Sequence, residues 1–137
     1  MRNPLVLSLL LVIAACAGTP PPESARTAAP VPDREGVQRV KVVAGSYYFN
    51  PSRITVRVGQ PVELQLSREP GLVPHDFTLV APQAGIDVQV ALSTAPQTVR
   101  FTPTRAGRYA FFCSQRFLGQ SHRERGMTGV LEVKADA

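Results

Sequence analysis

From Val37 onward, the chain is a succession of short stretches in which apolar and polar residues alternate, with Gly and Pro between them. In residues 53–58, for example, Ile54, Val56 and Val58 share one face of an extended chain and polar residues occupy the other. No stretch shows a convincing helical period. The alternation predicts eight strands, at residues 39–43, 53–58, 62–67, 75–80, 87–92, 98–102, 108–113 and 129–134. Such a set predicts an all-β fold, a Greek-key two-sheet β-sandwich.

The residues before the predicted sandwich divide into two parts. Residues 1–15 combine a positive charge with an apolar run and end in small residues, as secretory signal peptides do. The sequence Ile-Ala-Ala-Cys ending at Cys16 resembles the lipobox of bacterial lipoproteins, in which the cysteine is lipidated and becomes the first mature residue. An ordinary signal peptide or an uncleaved anchor, with Cys16 incidental, are the alternatives. Residues 16–36 are rich in Pro and predict an extended linker, which leaves 37–137 as the folded domain.

This organisation predicts an exported protein. A lipid on Cys16 would attach it to a bacterial membrane, with the domain facing the periplasm or the cell exterior. The formal net charge is +5, yet no basic run with interleaved aromatic residues is present, so nucleic acid is not an expected partner. We expect a monomer with one modest core.

Residues that bind soft metal ions are scarce in this chain. It contains two Cys, two His and two Met, and Met1 and Cys16 are accounted for as initiator and lipid acceptor. The remainder are His75, Cys113, His122 and Met127. A thiolate and two imidazoles with a weak axial thioether suit copper, because soft sulfur stabilises Cu(I) and imidazole accepts both oxidation states. Zinc binds similar ligands but rarely uses Met. The set predicts one copper ion; the alternative is four ordinary core and loop residues.

The residues around these ligands resemble the cupredoxin family, the type 1 blue-copper proteins. The resemblance covers about residues 45–134 and includes FNPSRITVRVGQPVELQL, PHDFTL, AGRYAFFC and HRERGMTGVLEV. In that family an upstream His, a Cys ending a strand, a His and a Met bind copper, which by position implies the same four residues. Eight residues separate Cys113 from His122, a spacing similar to the type 1 loop of copper nitrite reductases. With two His in the chain, none remains for a second, catalytic copper, and Phe117 stands where a binuclear site needs a second Cys.

The resemblance also implies roles for residues beside the ligands. Asp76 and Ser114 are expected to hydrogen-bond and so lock the two ligand loops together, unless they are ordinary polar loop residues. The ring edge of His122 is expected to reach the surface inside an apolar docking patch. This patch comprises Leu72, Val73, Phe117 and Leu118, with Arg116, Arg123 and Arg125 around it. Such a surface favours an acidic redox partner. The alternative is that Phe117 and Leu118 pack inward to hold a long loop.

These features predict a membrane-tethered carrier of single electrons between redox partners. The alternative function is a copper-binding lipoprotein that stores, delivers or senses copper without shuttling electrons. No catalytic residue is predicted, because both histidines serve as ligands and no carboxylate or serine cluster accompanies them. The chain is therefore not expected to be an enzyme.

Overall fold

The computed structural model describes residues 26–135, and strands dominate them. The predicted signal peptide, Cys16 and the first part of the predicted linker lie outside the described residues. In chain order the strands are β1 (Thr27–Ala28), β2 (Gln38–Gly45), β3 (Tyr48–Asn50), β4 (Arg53–Arg57), β5 (Val62–Arg68), β6 (Asp76–Ala81), β7 (Ile86–Ala91), β8 (Gln97–Phe101), β9 (Gly107–Phe112), β10 (Arg116–Phe117), β11 (Gln120–Ser121) and β12 (Thr128–Lys134). A short 3-10 turn, Pro82–Ala84, follows β6. Within residues 26–135, none of the helical segments has the length and apolar composition of a transmembrane helix.

The strands form two main sheets. One has six strands in the order β1-β4-β12-β9-β6-β7, and the other has four in the order β3-β2-β5-β8. Strands from distant parts of the chain are neighbours: β12 pairs in parallel with β4 and antiparallel with β9, and β2 pairs in parallel with β5. The all-β Greek-key sandwich is thereby confirmed, and each of the eight predicted strands is present.

The core lies between the sheets and follows from the alternation. In β2 and β5 every second side chain is buried, and the same holds for β4 and the end of β12. Three aromatic rings join the two sheets: Phe49 of β3 lies 5.6 Å from Phe77 of β6 and 5.4 Å from Phe111 of β9, while Phe77 and Phe111 stack at 4.9 Å between ring centroids. Each such pair contributes about 0.5–1.5 kcal/mol beyond the area buried. Two of these rings stand two residues from His75 and Cys113, so the core fixes the strand ends that carry them.

The structure differs from the sequence prediction in the last part of the linker. Thr27 and Ala28 form β1, which pairs in parallel with Arg53 and Ile54 at the edge of the six-stranded sheet. A turn follows, in which the Asp33 carboxylate accepts hydrogen bonds from the backbone N–H groups of residues 35 and 37. These residues are therefore not a free spacer. A two-residue strand is too short to show a periodicity, so β1 could not be predicted from the sequence.

The long spacing between Cys113 and His122 contains a small hairpin. Strands β10 and β11 pair antiparallel, and the two residues between them, Leu118 and Gly119, have φ values of 49° and 81°. Two left-handed residues in succession are typical of the tightest hairpin turns. The spacing is thus an ordered element with its tip at Leu118.

Candidate metal centre

Strand pairing brings the first two predicted ligands together. His75 immediately precedes β6, and Cys113 immediately follows β9. These strands are antiparallel neighbours in the six-stranded sheet, with Thr78 opposite Phe112. Because antiparallel neighbours place the start of one strand beside the end of the other, His75 and Cys113 meet at one edge of the sandwich.

Three side chains converge there in a buried cluster. The ligand atoms of His75, Cys113 and His122 all lie within 4.8 Å of one another. Cys113 Sγ is 3.4 Å from His122 Nδ1, and the two imidazole centroids are 5.1 Å apart. The exposed fractions are 7% for His75 and 0% for Cys113 and His122. The thiol of Cys113 is free.

Met127, the fourth predicted ligand, is fully buried beside this cluster. Its backbone N–H donates to the carbonyl oxygen of His122 at 3.0 Å, and its own carbonyl accepts from the N–H of Cys113 at 3.1 Å. Met127 is therefore tied through its main chain to both loop ligands. Coordination by its thioether stays a prediction.

The cluster contains buried nitrogens that lack hydrogen-bond partners. His75 Nδ1 and His122 Nε2 have none within the described part of the chain. An unsatisfied buried polar group costs about 1–3 kcal/mol. A metal ion bound to His75 Nδ1 would remove that cost, and one thiolate with two imidazoles is a donor set that suits copper. The residues present therefore fit a single copper ion held by His75, Cys113 and His122.

Burial sets the protonation of the cluster. Burial lowers the pKa of His75, and the nearby His122 and Arg68 lower it further. Burial likewise lowers the pKa of His122, with a contribution from Arg125. Both imidazoles are thus kept in the neutral, ligating form at pH 7. Burial raises the pKa of the Cys113 thiol, so metal binding there must release a proton.

The carboxylate of Asp76 connects the two ligand loops. Its Oδ1 accepts the backbone N–H of Ser114 at 2.6 Å, and its Oδ2 accepts the Ser114 hydroxyl. The predicted hydrogen bond between these residues is confirmed. Gln115, which the sequence reasoning missed, donates to the same Oδ2 at 2.9 Å, while its carbonyl accepts the N–H of His122 at 2.9 Å. The N–H of Asp76 also points at Cys113 Sγ, 3.4 Å away. One carboxylate therefore orients both loops.

The turn that carries His122 has its own support. Ser121 N–H donates to the Glu124 carboxylate at 3.2 Å, and Glu124 N–H donates to the Ser121 hydroxyl at 3.0 Å. This reciprocal pair is a capping box, whose pattern of Ser and Glu three residues apart is readable in the sequence. The turn ends at Gly126, where φ is 94°. Sequence reasoning missed both side chains, although the signal was present.

The expectation that the ring edge of His122 reaches the surface is wrong. Its imidazole is fully buried, because the ring of Tyr47 packs edge-on against it with centroids 5.0 Å apart. The guanidinium of Arg125 lies 4.4 Å from the centre of the Tyr47 ring. Tyr47 comes from the segment between β2 and β3, far from His122 in sequence. No feature of the sequence indicated this contact.

The predicted docking patch is largely at the surface. Leu72, Phe117 and Leu118 are exposed by 102%, 43% and 88%, and Val73 is half-buried. The alternative that Phe117 and Leu118 pack inward is therefore wrong.

The three arginines predicted around this patch are exposed, and each has a contact of its own. Arg116 donates to the carbonyl of Gly119 at 2.8 Å, and Arg123 lies 4.2 Å from the centre of the Phe112 ring. The Arg125 guanidinium lies over the Tyr47 ring, so Arg125 and Tyr47 together shield His122 from solvent.

Comparison with known proteins gives a family match and several matches in fold. A family model described as a cupredoxin-like domain matches residues 6–125. No curated protein matches the chain in sequence. The metal binding domain of the Cu(I)-exporting P-type ATPase CopA of Streptococcus pneumoniae D39, solved with Cu(I), is 20% identical with a TM-score of 0.56, and the match covers 80% of this chain and 97% of that domain.

Two auracyanins are similar as well. Reduced auracyanin from Roseiflexus castenholzii is 18% identical with a TM-score of 0.56, over 70% of this chain and 96% of that one. Auracyanin A, a "blue" copper protein from Chloroflexus aurantiacus, is 21% identical with a TM-score of 0.54, over 72% of this chain and 100% of that one. At these identities the three structures show a shared fold.

Proposed function

Because the chain belongs to the family of cupredoxin-like domains, we propose that it is a mononuclear copper protein that carries single electrons between redox partners. One observation carries this proposal: His75, Cys113 and His122 bring a thiol and two imidazoles within 4.8 Å of one another in a buried position. Copper bound there would supply one-electron chemistry between its Cu(I) and Cu(II) states.

The surrounding residues suit such a carrier because they hold the ligands still. The Asp76 carboxylate, at the start of β6 next to His75, fixes the loop after Cys113, and the main chain of Met127 is hydrogen-bonded to Cys113 and His122. The burial of all three ligand side chains keeps water away from them. Donor atoms that are held in place and kept from water change their positions little when an electron is gained or lost. The reorganisation energy is therefore small, and electron transfer has a low barrier.

The same arrangement supports a carrier over an enzyme. Both histidines of the chain are in the cluster, and the adjacent carboxylate of Asp76 is occupied by hydrogen bonds from Ser114 and Gln115. No side chain of the cluster is left to act as a general base. The proposal therefore assigns no catalytic residue.

The proposal includes attachment to a bacterial membrane through a lipid on Cys16, with the domain outside the cytoplasm. It is supported by the signal-like sequence of residues 1–15 and the Ile-Ala-Ala-Cys sequence that ends at Cys16. Replacing Cys16 with Ser is expected to abolish the incorporation of a labelled fatty acid into the protein. Unchanged fatty-acid incorporation in Cys16→Ser would contradict the lipid anchor.

Electron carriage is tested by repeated oxidation and reduction in the presence of a Cu(I) chelator such as bathocuproine disulfonate. The carrier is expected to keep its copper and its visible spectrum through many cycles, because the ligands are buried and held. A protein that delivers copper, the alternative function, would instead lose the metal to the chelator on the first reduction. That outcome would replace the electron-carrier proposal.

A further inference from the structure

The ring of Tyr47 separates His122 from the surface on one side of the cluster. Among the described residues, the aromatic rings that pack on His122 are those of Tyr47 and His75, and His75 belongs to the ligand set. His122 Nε2 is buried and has no hydrogen-bond partner in residues 26–135. Tyr47 itself is half-buried and has a positive φ of 65°, which is uncommon for a residue with a side chain. A constrained aromatic ring therefore provides a van der Waals contact that leads from the imidazole outward.

The outer side of Tyr47 lines a surface cavity of about 480 Å³. Its walls include Arg26, Ser46, Tyr47, Ser52, Arg125 and Thr128, and we call it the Tyr47 cavity. Two arginines and several hydroxyl groups contribute to it, and no Asp or Glu of the described chain does. The Arg125 side chain is fixed there, with its guanidinium over the Tyr47 ring and its Nε donating to Gln120 Oε1 at 2.7 Å. The cavity therefore suits carboxylates.

The neighbouring cavity on the His75 side is different. It has a volume of about 200 Å³ and is lined by Glu69, Leu72, Val73 and His75, among others. The Glu69 carboxylate accepts the hydroxyl of Tyr48 at 2.8 Å and adds negative charge at that cavity. Arg68 offsets this negative charge, because its guanidinium donates to the carbonyls of Glu69 and Gly71. The Tyr47 cavity, with two arginines and no such carboxylate, therefore attracts an acidic partner more strongly.

We propose that the Tyr47 cavity is the docking site for an acidic redox partner, and that Tyr47 is the residue through which His122 exchanges electrons with it. This inference rests on the proposed function. One electron would pass between the partner's redox centre and copper held by His75, Cys113 and His122, so that one centre is oxidised as the other is reduced; no bond forms or breaks, and no proton moves. The exposed patch at Leu72 and Leu118 is then not the main electron-exchange surface.

The docking site is tested on the metal-free full chain with hexacyanochromate(III), a paramagnetic anion that is not reduced under these conditions. Its binding is expected to broaden the NMR amide signals of Ser46, Tyr47, Gly126 and Thr128. Loss of one arginine charge at the site, in Arg125→Gln, should weaken binding by about fivefold in low salt. Arg105→Gln, on a loop outside the cavity, is the matched control and should leave binding unchanged. Broadening centred on Leu118, or equal weakening in the two variants, would overturn the proposal.

The role of Tyr47 is tested by comparing Tyr47→Phe, which keeps the ring, with Tyr47→Leu, which removes it. In the copper-loaded chain, electron exchange with hexacyanoferrate is expected to stay near the wild-type rate in Tyr47→Phe and to fall by about tenfold or more in Tyr47→Leu. The visible band of both variants reports whether the ligand cluster is intact. Equal rates in the two variants, or a faster rate in Tyr47→Leu, would show that electrons do not pass through Tyr47. Because the anion titration uses metal-free protein, it gives its answer even if the copper proposal fails.

Discussion

At the scale of single residues, the carboxylate of Asp76 connects more of the site than any other side chain near it. It accepts hydrogen bonds from the N–H and hydroxyl of Ser114 and from the side chain of Gln115. Those donors belong to the loop that follows Cys113. A carboxylate in this position orients the ligand loop from outside the set of His75, Cys113 and His122.

Replacing Asp76 with Ala is expected to weaken copper binding by about 10–100-fold, because the loop after Cys113 loses its anchor. The apoprotein should also lose about 1–3 kcal/mol of stability, since buried donors are left unpaired. Competition with a chelator and thermal unfolding measure the two effects. Asp87→Ala is the matched control, because that carboxylate is exposed and, within residues 26–135, accepts a side-chain hydrogen bond only from Gln89. Wild-type affinity in Asp76→Ala would show that the carboxylate does not support the site.

The two buried histidines make the apoprotein sensitive to acid. Burial lowers the pKa of both imidazoles below the ordinary value of 6.5. At acidic pH the two histidines are therefore protonated more fully in the unfolded chain than in the folded chain. Stability therefore falls as the pH drops below about 6.5. The carboxylates of Asp33, Glu63 and Glu124 have pKa values below their ordinary 3.8 or 4.5, so they add to this loss only in more acidic solution.

Thermal unfolding of the metal-free protein between pH 7.5 and 5.0 measures this effect. The melting temperature is expected to fall steadily below pH 6.5. The double variant His75→Gln, His122→Gln contains no histidine and should show a flatter curve over the same range. Parallel curves for the two proteins would mean that the histidines do not cause the acid sensitivity.

At the scale of elements, β12 approaches β9 closely beside the metal centre. Gly129 lies opposite Phe111, and a methyl group at position 129 would overlap the Phe111 ring and the carbonyl oxygen of Ser52. Gly129→Ala is therefore expected to destabilise the fold by about 1–3 kcal/mol, because the core there cannot expand without displacing the ring. The thermal midpoint should fall by several degrees.

Gly71→Ala is the control for this substitution. A methyl group there meets nothing within 4 Å, and the residue has no positive φ. Its effect on the midpoint is expected to be small. If the Gly129→Ala protein were as stable as the Gly71→Ala protein, β12 would have to be able to move away from β9. The positions of the ligands would then be less rigid than the close packing of these strands indicates.

Whether a strand could be predicted from the sequence depended on its length. Strands of five residues or more, such as β4 and β5, show enough alternation to be found in the sequence. The two-residue strands β1 and β10 have no period, and their pairing depends on the edge or turn that receives them. The sequence therefore predicted the sandwich but missed the edge strand and the hairpin between Cys113 and His122.

At the scale of the whole molecule, the strand order of the six-stranded sheet brings the candidate ligands together. The pairing of β6 with β9 unites His75 with Cys113, and the Phe77 and Phe111 rings hold those strands together in the core. The scarcity of His and Cys was enough to choose the ligand candidates from the sequence.

The burial of His122 could not be predicted in the same way. It depends on Tyr47, which reaches the cluster from the segment between β2 and β3. Tyr47 belongs to none of the ligand motifs, and a contact of this kind exists only after the two sheets have packed. Whole-molecule packing therefore changed the expected surface around the ligand, while the ligand candidates themselves were readable from residue types.

The most direct test of the central claim is the visible spectrum of the purified protein after addition of one equivalent of Cu(II). A thiolate bound to Cu(II) gives an intense charge-transfer band, and the account predicts such a band at a stoichiometry of one copper per chain. Cys113→Ser should abolish it while the protein remains folded. A folded wild-type protein that binds copper without this band, or a band that survives in Cys113→Ser, would contradict the assignment of the copper site.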